Sequence, residues 1–119
     1  MSRESILKQK SFDFAIRIVN LYKFLKTKQR EYIISQQLFR SGTAIGAIIR
    51  EAEHAKSRKD LSHKLSIGLK EANESIYWLG LLFATKYINK KMFDSMINDV
   101  TELLKMLIAS VISTKSRTN

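Results

Sequence analysis

A chain of 119 residues, 45% of them hydrophobic, holds enough apolar material for one core and leaves no room for a second domain. Cysteine and proline are both absent, which excludes a disulfide framework and a thiolate zinc site, fits a reducing cytoplasm, and leaves nothing covalent to break long helices. Lys and Arg outnumber Asp and Glu by 21 to 11, a formal charge of +10, so polyanions are the natural partners and plain solubility is the alternative.

The segment from Met1 to Lys10 is too frequently charged for an export signal. The longest charge-free apolar stretch, Ser75 to Thr85, is roughly half of the ~20 residues a membrane span needs. A soluble cytoplasmic protein is expected, with no membrane partner. The pattern predicts one domain over residues 1–119, with helices at roughly 10–27, 31–56, 58–86 and 90–113. In the first helix Phe14, Ile18, Leu21 and Leu25 form the apolar stripe, and Ser11 with Asp13 reads as its cap. In the second, Leu38, Gly42, Ile45, Ile49 and Ala52 alternate steps of four and three. The third opens on Ser57 with Asp60 three residues on, a capping-box spacing, and continues through Leu61, Leu65, Gly68, Ala72, Ser75, Leu79 and Leu82. Asn89 marks the start of the fourth, whose stripe runs through Phe93, Met96, Val100, Leu103 or Leu104, Leu107 and Val111. Short connections force neighbours to alternate direction, so the expected fold is all-α, an antiparallel up-down-up-down four-helix bundle.

If the second and third helices fold back around Ser57, residues whose numbers sum to about 114 face one another. That register sets Gly46 against Gly68 and Gly42 against Ala72, small against small, and brings Arg40 near Glu74. Gly46→Leu is therefore expected to be strongly destabilising. Lys70 is also spaced to pair with Glu74 on its own helix.

Catalytic constellations are hard to assemble. Glu51 and His54 form a Glu-x-x-His pair, but a di-iron bundle needs a second copy, and Glu71 and Glu74 have no histidine with them. No phosphate-binding glycine loop or nucleophile elbow is present. Neither enzyme activity nor a metal or other cofactor is expected. Basic residues, by contrast, are grouped. The first and third connections share one end of such a bundle and collect Lys23, Lys26, Lys28, Arg30, Lys86, Lys90 and Lys91 against Glu31 and Asp94. The opposite end holds Arg3, Lys8, Lys10, Lys56, Arg58, Lys59, Lys64, Lys115 and Arg117. Among these cations, the seven at the first end and Arg58 and Lys59 at the other are the candidate phosphate contacts, and Tyr22, Tyr32 and Tyr87 can stack on bases if exposed. Trp78 and Tyr77 exceed what one small core needs, which suits self-association, while Trp78 can equally serve inside the bundle.

From Arg40 to Ala52, RSGTAIGAIIREA, then Ser57 to Asp60, then Lys70 to Leu79, KEANESIYWL, the chain strongly resembles the bacterial four helix bundle protein family, also called 23S rRNA-intervening sequence proteins. Ala44 and Ile48 depart from the serine and asparagine expected there, and Gly68 and Ser75 replace the more usual alanine and threonine. The resemblance implies a four-helix bundle assembled as a homopentamer, without known enzymatic activity, from a family whose reading frames lie within insertions in large-subunit ribosomal RNA genes. The accessory protein of diversity-generating retroelements is similar, a basic pentamer that works with a reverse transcriptase and nucleic acid. The function expected is a non-enzymatic, basic, homo-oligomeric module that binds RNA or DNA through phosphates without sequence readout. The alternative is a scaffold for an acidic protein partner such as a polymerase.

Overall fold

The computed structural model describes residues 2–116, and within them the chain forms four helices: α1 (Arg3–Thr27), α2 (Ile34–Ala52), α3 (Arg58–Ala84) and α4 (Lys90–Ser116). Arg117 lies outside the described residues. α3 and α4 are 27 residues each, about 40 Å at 1.5 Å per residue. The 49 × 24 × 21 Å envelope is therefore that of helices lying side by side along the long axis. Each helix packs on two others: α1 on α2, α2 on α3, α3 on α4, and, least closely, α1 on α4. Phe14, Ile18, Leu38, Ile45, Leu79 and Leu107 are among the side chains enclosed at the centre, all 2% exposed or less. Burying each contributes roughly 1.5–3 kcal/mol.

α1 starts at Arg3, well before the expected position 10. Ser2 is the residue that caps it, accepting from the Ser5 N–H at 3.1 Å. Ser11 is a buried mid-helix residue whose hydroxyl donates to the Lys8 carbonyl at 3.0 Å. The apolar period simply continues upstream through Leu7, with Ser11 occupying a core position as a small residue. The other two predicted caps are present: Ser57 accepts from the Asp60 N–H at 3.0 Å, and Asn89 from the Met92 N–H at 2.8 Å. Asp60, with its shorter arm, returns its carboxylate to the Lys56 N–H at 3.0 Å, one residue ahead of the capping residue.

α2 is shorter at both ends than the expected 31–56. Glu31 stays outside it and acts on it, its carboxylate accepting from the N–H groups of Ile33, Ile34 and Ser35 at 3.1, 2.9 and 2.6 Å. These are donors that a helix start leaves unpaired. α3 stops at Ala84, short of position 86, because the chain turns at Lys86, which adopts a left-handed φ of 68°.

The glycine register differs from expectation. A Cβ at Gly46 would lie 3.3 Å from the Ser11 carbonyl oxygen, and one at Gly42 would lie 2.6 Å from the Ile18 side chain, so both glycines face α1. Gly68 faces Leu107 of α4 and Ile48 of α2, and Ala72 is enclosed in the core. Successive residues of a helix point toward different neighbours, and the stripe Gly42–Gly46 belongs to the α1 side of α2. The α2–α3 contact is made one step round, by a buried hydroxyl pair between Ser41 and Ser75 at 2.9 Å. Arg40 crosses the same seam to Glu71 at 3.0 Å and, as expected, to Glu74. Glu74 also accepts from the Trp78 indole N–H at 3.2 Å, and Lys70 takes no part in an ion pair among the described residues. Where α1 and α4 meet, polar braces supplement the thin apolar contact: Arg17 to Asp99, Lys10 to Glu102, and Arg17 to the Ser95 hydroxyl at 2.7 Å.

Candidate functional site

Seven of the nine candidate phosphate contacts sit around two turns, the one after α1 and the one after α3. The Gln29 amide donates to the Tyr87 carbonyl at 2.8 Å and ties these turns together. A hollow of about 400 Å³ opens between them, lined by Phe24, Gln29, Lys86, Tyr87, Asn89 and Met92 among others. Lys86 lines it, and Lys23, Lys26, Lys28, Arg30, Lys90 and Lys91, on or beside the same two turns, are exposed as well.

What decides the local charge is where the acids go. Glu31 is only 7% exposed and is spent on the start of α2. Burial raises its pKa, but the backbone N–H groups of Ile34, Ser35 and Ile33 outweigh that and hold the carboxyl below its usual range, so it stays ionised while facing inward. Asp94 is engaged by Lys90 at 2.6 Å. Lys23, Lys26, Lys28, Arg30, Lys86 and Lys91 have no carboxylate partner among the described residues.

The other end is different. Lys8 pairs with Glu53 at 2.9 Å, Lys64 with Asp60 at 2.8 Å, and Lys10 with Glu102. Arg58 and Lys59, at the start of α3, are exposed there and are not brought together with the other seven.

The tyrosines divide as well. Tyr22 is half-buried, with its ring 4.6 Å from that of Phe39 and the Lys26 ammonium 5.0 Å over its face, so the ring is already engaged within the protein. Tyr87 is half-buried, and Tyr32, 54% exposed, is the open ring of the three. Tyr77 is 61% exposed and meets Trp78 edge-on at 4.9 Å, whereas Trp78 is half-buried against the core. Glu51 and His54 are both exposed at the end of α2, and no group of three metal-ligating side chains gathers among the described residues. No described helix is long and apolar enough to cross a membrane.

Sequence reasoning missed Glu31 as a cap, the Ser41–Ser75 pair and the Arg17 brace. Only the first carried a local signal, a carboxylate four residues ahead of a serine at a helix start.

Helix arrangement and surface define a small basic protein built from four helices. The model of the 23S rRNA-intervening sequence protein family matches residues 3–109. The chain belongs to that family. Among solved structures it is similar to a protein of unknown function from the S23 ribosomal protein family of Bacteroides thetaiotaomicron, with 54% identity and a TM-score of 0.91, covering 92% of this chain and 98% of that one. No curated protein matches significantly.

Proposed function

We propose that this chain is a non-enzymatic module that acts in the cytoplasm as a homo-oligomer and binds RNA or DNA through phosphate contacts without reading base sequence. The observation that carries the reading is the uncancelled charge around the turns after α1 and α3, where six cations stand without carboxylate partners among the described residues and Glu31 is withdrawn from the surface. Such an array releases counterions from a polyanion, a gain indifferent to base identity. Backbone strain supports it. Arg30 and Lys86 hold φ at 53° and 68°, where glycine is at ease and other residues lose roughly 1–2 kcal/mol. Keeping cations at both positions points to a use for their charge.

An antiparallel, up-down-up-down course is the arrangement we adopt. It is supported by the tie between Gln29 and Tyr87 at one end and by the starts of α1 and α3 sharing a cavity with the ends of α2 and α4 at the other. Self-association, with the pentamer as the expected stoichiometry, is supported by Phe12, Tyr77 and Ile112, each at least 60% exposed. Several copies would turn weak phosphate contacts into useful affinity.

The test is size-exclusion chromatography with light scattering, with and without a fluorescent RNA or DNA duplex at about 50 and 200 mM salt. The expected result is an oligomer that carries the duplex at low salt and releases it at high salt. Charge reversal of Lys23, Lys26, Lys28 and Arg30 together should weaken binding and flatten the log–log salt slope by about 0.9 for each phosphate no longer neutralised. An oligomer that ignores both duplexes would overturn the nucleic-acid reading and favour an acidic protein partner.

A further inference from the structure

The end of the molecule away from the cationic turns, where α1 and α3 begin and α2 and α4 finish, carries a cavity of about 300 Å³. Its floor is apolar, made by Leu7, Ile49, Ala52, Leu61 and Leu65. Four of these, all but Leu61, are 8% exposed or less, so the floor reaches the edge of the core itself. One wall comes from α4 and presents Ser110, Ser113 and Thr114. The Thr114 hydroxyl donates to the Ser110 carbonyl at 2.8 Å, while the hydroxyls of Ser110 and Ser113 make no hydrogen bond among the described residues.

Charged residues stand at the mouth: Arg3, Arg58, Glu4 and Glu53 line it and are exposed. Glu53 is neutralised by Lys8 at 2.9 Å. Neither Arg3 nor Arg58 has a carboxylate partner among the described residues. Two uncommitted guanidinium groups against the single carboxylate of Glu4 leave the mouth net positive above an apolar floor.

We propose that this cavity binds a single-chain amphipathic carboxylate, with its alkyl chain on the leucine floor and its head between Arg3 and Arg58. Guanidinium presents a planar fork of donors that matches a carboxylate, and the free hydroxyls of Ser110 and Ser113 supply further donors on one side. Each methylene moved from water onto the floor favours binding. A cavity of about 300 Å³ stands at the small end of the range for small-molecule sites, which suits one medium-length chain. The proposal does not depend on the nucleic-acid reading, because the site uses residues from the other end of the molecule.

The full chain is titrated with decanoate and, separately, with decyltrimethylammonium, which has the same tail and a cationic head. Binding is followed by calorimetry and by amide chemical shifts. The expected result is one saturable decanoate site per chain, shifts centred on Leu7, Ala52 and Leu65, and at least tenfold weaker binding of the cation. Replacing Arg3→Gln and Arg58→Gln together should weaken decanoate about tenfold and leave the cation no weaker. Absence of saturation by about 1 mM decanoate, equal binding of the two amphiphiles, or shifts centred on the exposed apolar residues Phe12, Tyr77 and Ile112 would overturn it. The comparison of amphiphiles uses the unaltered protein, so the proposal stands or falls even if the double variant folds poorly.

Discussion

A side chain at Gly46 has nowhere to go, since its first atom would already be 3.3 Å from the Ser11 carbonyl of α1. Backbone cannot yield as a flexible side-chain tip can, so Gly46→Leu should lose about 3 kcal/mol or more by overpacking. Gly80 is the control, because a Cβ there meets nothing within 4 Å. Gly80→Ala should raise stability by up to about 1 kcal/mol through helix propensity alone. Urea unfolding of the two variants measures both signs in one experiment.

Arg30 and Lys86 put stability and charge in opposition. With φ at 53° and 68°, Arg30→Gly and Lys86→Gly should each stabilise the fold by about 1 kcal/mol. Each should at the same time weaken duplex binding, and thermal melts paired with binding assays would detect the trade. A variant that gains stability and keeps full affinity would remove Arg30 or Lys86 from the binding surface.

At the scale of the element, Glu31 governs how α2 begins. Three backbone N–H groups converge on its carboxylate, so Glu31→Gln, with one carbonyl oxygen to offer, should lose about 1 kcal/mol at neutral pH. Its pKa is lower folded than unfolded, because the N–H groups outweigh burial. Its contribution is therefore complete above the unfolded value of about 4.3 and disappears as pH falls through the folded one. Denaturant unfolding of both proteins at pH 7 and in the acid range should show the gap between them narrowing below about pH 4.

The α2–α3 seam depends on Arg40 in a similar way. Glu71 is 8% exposed and receives Arg40 at 3.0 Å, so Arg40→Ala leaves a nearly buried carboxylate without its partner and should lose about 1–3 kcal/mol. Adding Glu71→Gln should recover part of that loss. A double-mutant cycle measures the coupling, and Trp78, whose indole N–H lies 3.2 Å from Glu74, provides a fluorescence reporter within the same network.

At the scale of the molecule, charge is distributed unequally between the ends. Among the described residues, the turns after α1 and α3 leave most of their cations without acidic partners, whereas Lys8, Lys10 and Lys64 at the other end are paired and Arg3 and Arg58, without carboxylate partners, border an apolar cavity. One short bundle thus presents two chemically different ends, one of exposed cations around two turns and one with an apolar cavity beneath a charged mouth.

The amino-acid sequence by itself determined that the chain makes four helices, which positions in α2 and α3 are apolar, and where α3 and α4 start. These depend on residues three or four apart: the steps from Leu38 to Ala52, the Ser57 oxygen on the Asp60 N–H, the Asn89 oxygen on the Met92 N–H. Interactions this local can be read from spacing. Tertiary structure alone decided that Gly42 and Gly46 serve α1, that Ser41 meets Ser75 across the α2–α3 seam, and that Arg17 of α1 reaches Asp99 of α4. Helical periodicity says which face of a helix is buried, but a buried face has two flanks. Which neighbour each flank meets is settled only when all four helices pack together.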